Sequence, residues 1–422
     1  MSSILYQNAS RTVTLLDLPR SISEASGVHI VASAGPAQPF PSTEPKGSKR
    51  AKMLSSIPRD EQVYHERLAE LIANAMLEVR QYMGQKKWCL DRAEVVSPHG
   101  NRSTKGRSDA PEKEKNGAVC SRKRYWNSSS ANQHRPQPDA AEGALEPEGP
   151  EPRVPITPPL VLSPLGSQHG SAGALQNTVI FNPSTIVVRI HVPERSFIVP
   201  PRCAFLSSSI QQGSHIFETS SKALGCPSAI HPSLFNFILL DPPWPNRSVR
   251  NAKVYNTSER ELEEHPFYQT LPIIDRYLSP AGITAVWITN KRAIRQAVLR
   301  SLRKMGLGLY EEWIWLKVTS YGEPVTDLDG LWRKPYEVLL LFRQQVAVYG
   351  GQSYLPEYPE VKRRVVIAVP DIHSRKPCLK ELLKPPSVPE EYTALEIFAR
   401  NLTAGWWSWG NEVLKFNEEG AA

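Results

Sequence analysis

Cysteine is scarce. The five residues Cys89, Cys120, Cys203, Cys226 and Cys378 form no CxxC pair and no ligand-like cluster. That argues against a structural zinc site or a disulfide framework and fits a reducing compartment. No apolar run approaches the roughly 18 residues a spanning helix needs, and with 22% charged against 40% hydrophobic residues a membrane partner is not expected. Met1–Arg11 lacks a basic-then-apolar signal architecture, so export is not expected either. No GxGxxG follows any strand-like segment, which counts against a conventional dinucleotide fold. Aromatics are almost missing from Glu94 to Leu175, where only Tyr125 and Trp126 interrupt Ser, Pro, Glu, Arg and Gly. Such a stretch buries too little apolar surface to offset its ordering entropy.

What is present is unevenly spread. Eight of the ten tryptophans follow residue 240. The 422 residues therefore read as an N-terminal region (1–93), a disordered linker (94–176), one folded domain (177–417) and a short tail (418–422). The domain is expected to fold without the first 176 residues. Arg59–Met83 carries Val63, Leu68, Leu71, Ile72 and Met76 near helical spacing, which predicts an amphipathic docking helix. The formal charge of +8 and pI near 9.1 favour an anionic partner, nucleic acid first. Lys46–Lys52 (KGSKRAK) and Ser121–Arg124 (SRKR) read either as nuclear import signals or as nucleic-acid contacts.

Strands are predicted at Thr178–Val192, Leu234–Leu240, Ile283–Thr289, Glu312–Val318, Tyr336–Phe342, Arg364–Val369, Ala394–Ala399 and Glu412–Phe416. Helices are predicted at Glu259–Tyr277, Lys291–Met305 and Arg375–Leu383. The alternation predicts an α/β doubly wound sheet.

The stretch Phe237–Trp244 (FILLDPPW) carries the chemistry. An apolar strand delivers Asp241 to the carboxyl edge of the sheet, where open α/β folds bind ligands. Pro242 and Pro243 fix φ and contribute no N–H donors, and Trp244 supplies a broad π face. Together they suit a flat ring bearing an amino group, with the Trp244 face stacking on the base and Asp241 and the Pro242 carbonyl accepting its N–H bonds. The competing reading is a strand ending in a proline-rich turn beside a buried tryptophan.

DPPW resembles the signature of amino-methyltransferases that act on adenine. PPRCAFLSSSI (200–210), VWITN (286–290), EEWIWLKV (311–318), KPYEVLLLFR (334–343), HSRKP (373–377) and LEIFARNLTAGWWSWGNEVLKF (395–416) extend the resemblance to the mRNA adenosine-N6 methyltransferase 70-kDa-subunit family, in its methyltransferase-like protein 4 branch. It covers roughly residues 177–417. The resemblance implies a Rossmann-like, S-adenosylmethionine-dependent methyltransferase, circularly permuted so that the DPPW strand precedes the cofactor-binding strand, with a largely disordered N-terminal extension. It implies S-adenosyl-L-methionine as cofactor, held by Ser209, Ile210, Lys376, Glu396, Arg400, Asn401, Asn411 and Glu412, with Lys376 toward its carboxylate. His373 is a secondary candidate. For Glu396 and Arg400 the alternative is an ion pair within a strand. Two departures stand out: Ser209 replaces an acidic residue of the branch, and Glu412 replaces the Gln of members closer to the mRNA enzyme.

Arg247, Arg250, Tyr255, Asn290, Lys334, Tyr336 and Glu337 would border the target nucleotide. The implied activity is methyl transfer to the N6 amine of adenine, in RNA before DNA, with 2′-O-methyladenosine in small nuclear RNA as the leading substrate and the nucleus, with the cytoplasm second, as location. A DNA methyltransferase and a non-catalytic nucleic-acid-binding subunit are the alternatives. Monomer and heteromer stay open.

Overall fold

The computed structural model describes residues 2–30, 32–92, 157–163, 168–169, 171–224, 234–245, 265–345, 361–372, 374–383 and 388–419. In chain order the strands are β1 (Ile4–Gln7), β2 (Val13–Leu16), β3 (Leu160–Val161), β4 (Gln168–His169), β5 (Val179–Asn182), β6 (Val188–Val192), β7 (Arg195–Val199), β8 (Cys203–Leu206), β9 (Phe235–Leu240), β10 (Leu278–Ile288), β11 (Leu307–Lys317), β12 (Tyr336–Gln344), β13 (Lys362–Ala368), β14 (Ala394–Ile397) and β15 (Trp406–Trp409). The helices are α1 (Leu18–Ser26), α2 (Gly47–Ser55), α3 (Arg59–Met83), α4 (Ile210–Leu224), α5 (Pro266–Gln269), α6 (Leu271–Tyr277) and α7 (Arg292–Lys304).

Twelve strands make one sheet in the order β1-β2-β13-β11-β12-β10-β9-β14-β15-β8-β5-β3, and β4-β6-β7 make a small second sheet. From β8 through β15, β14 and β9 to β10 all neighbours are parallel, whereas β12 runs antiparallel to both β10 and β11. The central strand explains why both faces are covered. FNFILL sends Phe237 and Leu239 into one apolar cluster and Phe235, Ile238 and Leu240 into the other. The second of these is roofed by α3, α4, α7 and the short helices α5 and α6; the first is closed by α1 and the irregular segment carrying Leu379, Leu382 and Leu383.

Several expectations are corrected. The N-terminal region contains far more than one amphipathic helix. α3 forms at Arg59–Met83 as read, but β1 and β2 extend the main sheet through parallel pairing of β2 with β13, and α1 and α2 form as well. α3 buries Leu68, Ile72, Ala75, Met76, Val79 and Met83 in the main core. At about 1.5–3 kcal/mol per large side chain, that contact alone stabilises by roughly 10 kcal/mol, so this region is part of the fold and not an extension. Most of the expected linker lies outside the described residues, yet its end is ordered: β3 pairs with β5. The expected tail is tied down where described, with Arg195 bound to Glu418 and Arg189 to Glu419.

Thr178–Val192 is two strands, broken at Pro183, where the Asn182 amide instead bonds the carbonyls of Ile186, Val199 and Pro200. Arg375–Leu383 is not helical, because Pro377 disfavours the helical conformation at Lys376. Glu412–Phe416 is a run of turns closed locally by Val413 N–H to Gly410 and Lys415 N–H to Glu412. Among the described residues no helix is long and apolar enough to cross a membrane.

Candidate active site

β14 follows β9 by more than a hundred and fifty residues in sequence, yet the two lie side by side and parallel, Leu240 opposite Ile397. From β14 the chain proceeds to β15 on one side, and from β9 to β10 on the other. The carboxyl ends of β9 and β14 therefore flank a topological switch point, where an open sheet leaves a crevice for ligands. Asp241, the first residue after β9, stands at that crevice, its N–H donating to the Ile397 carbonyl at 3.3 Å.

The turn after Asp241 is held at nearly every polar atom. The Trp244 N–H donates to the Pro242 carbonyl at 2.8 Å, and the Trp244 indole Nε1 donates to the Trp287 carbonyl at 2.7 Å. His265 caps α5 by accepting the Phe267 N–H on Nδ1 at 3.2 Å, so its proton sits on Nε2, which donates to the Pro243 carbonyl at 3.3 Å. Burial lowers the His265 pKa, keeping the ring neutral. Lys291, just before α7, donates to the Pro245 carbonyl.

These contacts revise the reading of Trp244 as an open stacking platform. Its ring is buried, and His265 stacks on it at 4.6 Å and 12°. Trp244 braces the loop. The Pro242 carbonyl is likewise not free, although a carbonyl keeps a second lone pair for another donor.

A chain of alternating charge runs along the same edge. Lys376 Nζ lies 3.0 Å from both carboxylate oxygens of Asp241 and 3.1 Å from Glu337 Oε2, and Lys317 binds the other oxygen of Glu337. Lys376 also sits 5.4 Å from the centre of the Trp287 ring. Burial alone would raise the Glu337 pKa, but Lys376 and Lys317 hold it down at about 2. Burial would lower that of Lys376, but Asp241 and Glu337 raise it well above its ordinary value. Lys376 is thus brought to Asp241 itself.

The remaining candidates divide into groups. Glu396 is half-buried on β14; burial first, and then the Asp241 charge, pushes its pKa up to about 8. Among the described residues none donates a hydrogen bond to it. Arg400 pairs with the exposed Glu412 at 3.2 Å, beside exposed Asn411, just past the carboxyl ends of β14 and β15. The alternative of a Glu396–Arg400 ion pair within a strand is not what forms among the described residues: Arg400 pairs instead with Glu412, joining two loops. Ser209 precedes α4 and accepts the Gln212 N–H at 3.1 Å, while Ile210 is buried. Asn401 lies apart, lining a cavity of about 250 Å³ with Val28, Arg375 and Phe416. The Asn290 amide donates to the Tyr336 carbonyl at 2.6 Å, and the Tyr336 hydroxyl bonds His65 of α3 at 2.8 Å. Lys334 donates to the Leu328 carbonyl at 3.3 Å. Arg247, Arg250, Tyr255 and His373 lie outside the described residues.

Two glycines allow this packing. A Cβ on Gly213 of α4 would come within 2.7 Å of the Trp409 ring, and one on Gly410 within 2.7 Å of the Ala399 carbonyl oxygen. Phe398, at φ 63°, turns the chain sharply after β14.

Sequence reasoning missed His265, Trp287, Lys291 and Lys317. His265 carried a usable signal, a capping residue directly before Pro266. The others are defined by contacts across strands, which no local pattern encodes. Among the described residues no group of three or more His, Cys, Asp or Glu is placed to hold a metal.

A mixed α/β sheet whose central run is parallel thus places a braced carboxylate at its switch point, where open sheets bind ligands. Residues 235–412 match the MT-A70 family model. The chain is 40% identical over 230 residues to "N6-methyladenosine RNA methyltransferase MTA1" of Cryphonectria parasitica, covering 54% of this chain and 62% of the relative. It is 34% identical over 250 residues to human "N(6)-adenine-specific methyltransferase METTL4", covering 56% and 47%. To the "DNA N6-methyl methyltransferase" of Caenorhabditis elegans it is 31% identical over 226 residues, covering 53% and 54%. The chain thus spans about half the length of these relatives.

Proposed function

We propose that the protein transfers a methyl group from S-adenosylmethionine to the exocyclic N6 amine of adenine in nucleic acid. The observation that carries this reading is Asp241, an acceptor-only group fixed at the crevice by Lys376 and by a turn whose backbone is pinned at four points. An aromatic amine is a poor nucleophile because its lone pair is delocalised. Accepting one N–H at Asp241 and the other at the spare lone pair of Pro242 favours pyramidal nitrogen and orients that lone pair.

The donor and acceptor set suits the cofactor. The Glu396 carboxyl group, half-buried without a hydrogen-bond donor among the described residues, suits a ligand carrying hydroxyls, and a positive charge bound beside it would draw it to the ionised form. Asn411, Glu412 and Arg400 would serve its ribose and adenine, with Ser209 and Ile210 at the start of α4 beside them. Lys376 would meet its carboxylate. When bound, the cofactor supplies the activated methyl group; the chain supplies orientation and a charge-balanced edge. The parallel run β8-β15-β14-β9-β10 has the 3-2-1-4-5 order of a doubly wound sheet begun at its third strand, which supports the circular permutation.

RNA is the favoured substrate and 2′-O-methyladenosine the favoured target. The RNA reading is supported by the names of the fungal relatives, and the nuclear location by the exposed cluster Lys46–Lys52. The DNA reading is supported by the name of the nematode relative.

The test uses purified full-length protein, labelled cofactor and matched oligonucleotides: single-stranded RNA with adenosine or 2′-O-methyladenosine, single-stranded DNA and duplex DNA. Transfer to RNA that falls about 10²–10³-fold in Asp241→Asn, with the fold retained, is expected. Undiminished turnover by folded Asp241→Asn overturns the mechanism. Preferential transfer to duplex DNA overturns the substrate.

A further inference from the structure

The basic cluster Lys46–Lys52, ambiguous as sequence, occupies a defined place in the fold. It forms α2, which buries none of its residues, so apolar packing does not hold it there. Polar anchors do. Glu44, just before α2, accepts the backbone N–H groups of Leu331 at 2.6 Å, Trp332 at 3.0 Å and Arg333 at 3.2 Å. Arg50 binds the Asp329 carboxylate at 2.6 Å and its carbonyl at 3.1 Å. Ser42 reaches Asp327 at 3.2 Å. The two acids of this loop are thereby engaged from within.

The outward surface is left basic and aromatic. Lys46, Lys49, Lys52 and Arg333 are exposed, and none has a carboxylate partner among the described residues. Trp332 is 37% exposed, with the Lys49 ammonium 5.5 Å from its ring centre. Position makes this patch relevant. The loop leads within a few residues into Tyr336 and Glu337, and Glu337 touches Lys376, which touches Asp241. An exposed indole among unpaired cations is the combination that binds single strands, since every base offers a π face and every linkage a phosphate.

We infer that α2 and the Trp332 loop form one docking surface for a single-stranded nucleic acid beside the catalytic edge, Trp332 stacking on a base flanking the target and Lys46, Lys49, Lys52 and Arg333 taking backbone phosphates. This rests on the nucleic-acid reading proposed above and adds where the strand lies. It also gives the N-terminal region a role in the reaction besides completing the sheet.

The test is fluorescence anisotropy of the full chain with a labelled 12-nucleotide RNA carrying one adenosine, with DNA of the same sequence and with the duplex as parallel arms. Trp332→Ala weakens binding of both single strands about tenfold, and Trp332→Phe keeps most of it. The variant with Lys46→Gln, Lys49→Gln and Lys52→Gln binds about tenfold more weakly and lowers the salt slope by about 2. The same factors appear in KM for the oligonucleotide. Arg300→Gln with Arg303→Gln, in the last turns of α7 and roughly 12–17 Å along the helix from its start at Arg292, leaves affinity unchanged. Unchanged affinity and salt slope in the Trp332 and lysine variants, or a duplex that outcompetes both single strands, overturns the proposal. Wild-type protein that binds RNA with these variant effects but transfers no methyl sinks the enzymatic reading and leaves this surface standing.

Discussion

Replacing Lys376 by Met is the sharpest probe of the charged edge. Its ammonium lies 3.0 Å from both Asp241 oxygens and 3.1 Å from Glu337, with side-chain exposures of 19%, 15% and 27% respectively. Removing one member of a fully buried pair costs about 3–5 kcal/mol, because the partner is left uncompensated. Here the groups are partly hydrated and Glu337 keeps Lys317. A second route gives a similar size: lowering Glu337 from 4.5 to about 2 is worth about 3 kcal/mol, shared between its two lysines. The variant should therefore lose about 2–3 kcal/mol at pH 7. The sign of the pH dependence follows. Glu337, with its folded pKa depressed, contributes stability that is present above about pH 4.5 and lost as pH falls through about 2. Lys376, raised, contributes below its unfolded value of about 10.5 and loses it only at still higher pH. The difference between wild type and variant should be flat from about pH 5 to 7 and shrink toward pH 3. Urea unfolding across that range measures it, and adding Glu337→Gln should recover part of the loss. A loss below about 1 kcal/mol at pH 7, or one that does not shrink in acid, would refute the reasoning.

Deleting residues 1–92 should prevent cooperative folding, since it strips α3 from the core and β2 from Val365–Ile367; a chain starting at Asn177 that melts like the full protein contradicts this. Gly213→Ala drives a methyl group against Trp409 and should cost about 1–3 kcal/mol in chemical denaturation, with no change expected if α4 shifts freely. Glu396 holds a proton in the folded state up to about pH 8 that the unfolded chain sheds near 4.5, so wild-type stability falls as pH rises through that window. Glu396→Gln should remove that fall: its advantage over wild type is larger at pH 8.5 than at pH 5, and equal differences at the two pH values count against the burial argument.

Much of the molecule was legible without its fold. The short apolar run Phe237–Leu240, ending at Asp241 and two prolines, reads as a strand covered on both faces, the prolines stiffen the turn whatever surrounds it, and the 3.6-residue spacing placed α3 at Arg59–Met83. These are properties of neighbouring residues, set by sterics and by the period of apolar side chains. Short strands such as β8 and β15, and the turns at Glu412–Phe416, were not separable that way, because four residues carry too little periodic signal. Where Lys376 points is of another kind. Its local sequence, Arg-Lys-Pro, says only that a cation sits in a loop, and the assignment to Asp241 and Glu337 depends on three segments more than thirty residues apart converging at one sheet edge. The same holds for Trp244, whose indole is committed to Trp287 and His265, and for β2, whose partner lies some 350 residues later. Local conformation follows from the chain's own covalent and steric limits; which groups meet follows from how all the apolar faces are buried at once, and that is a property of the whole fold.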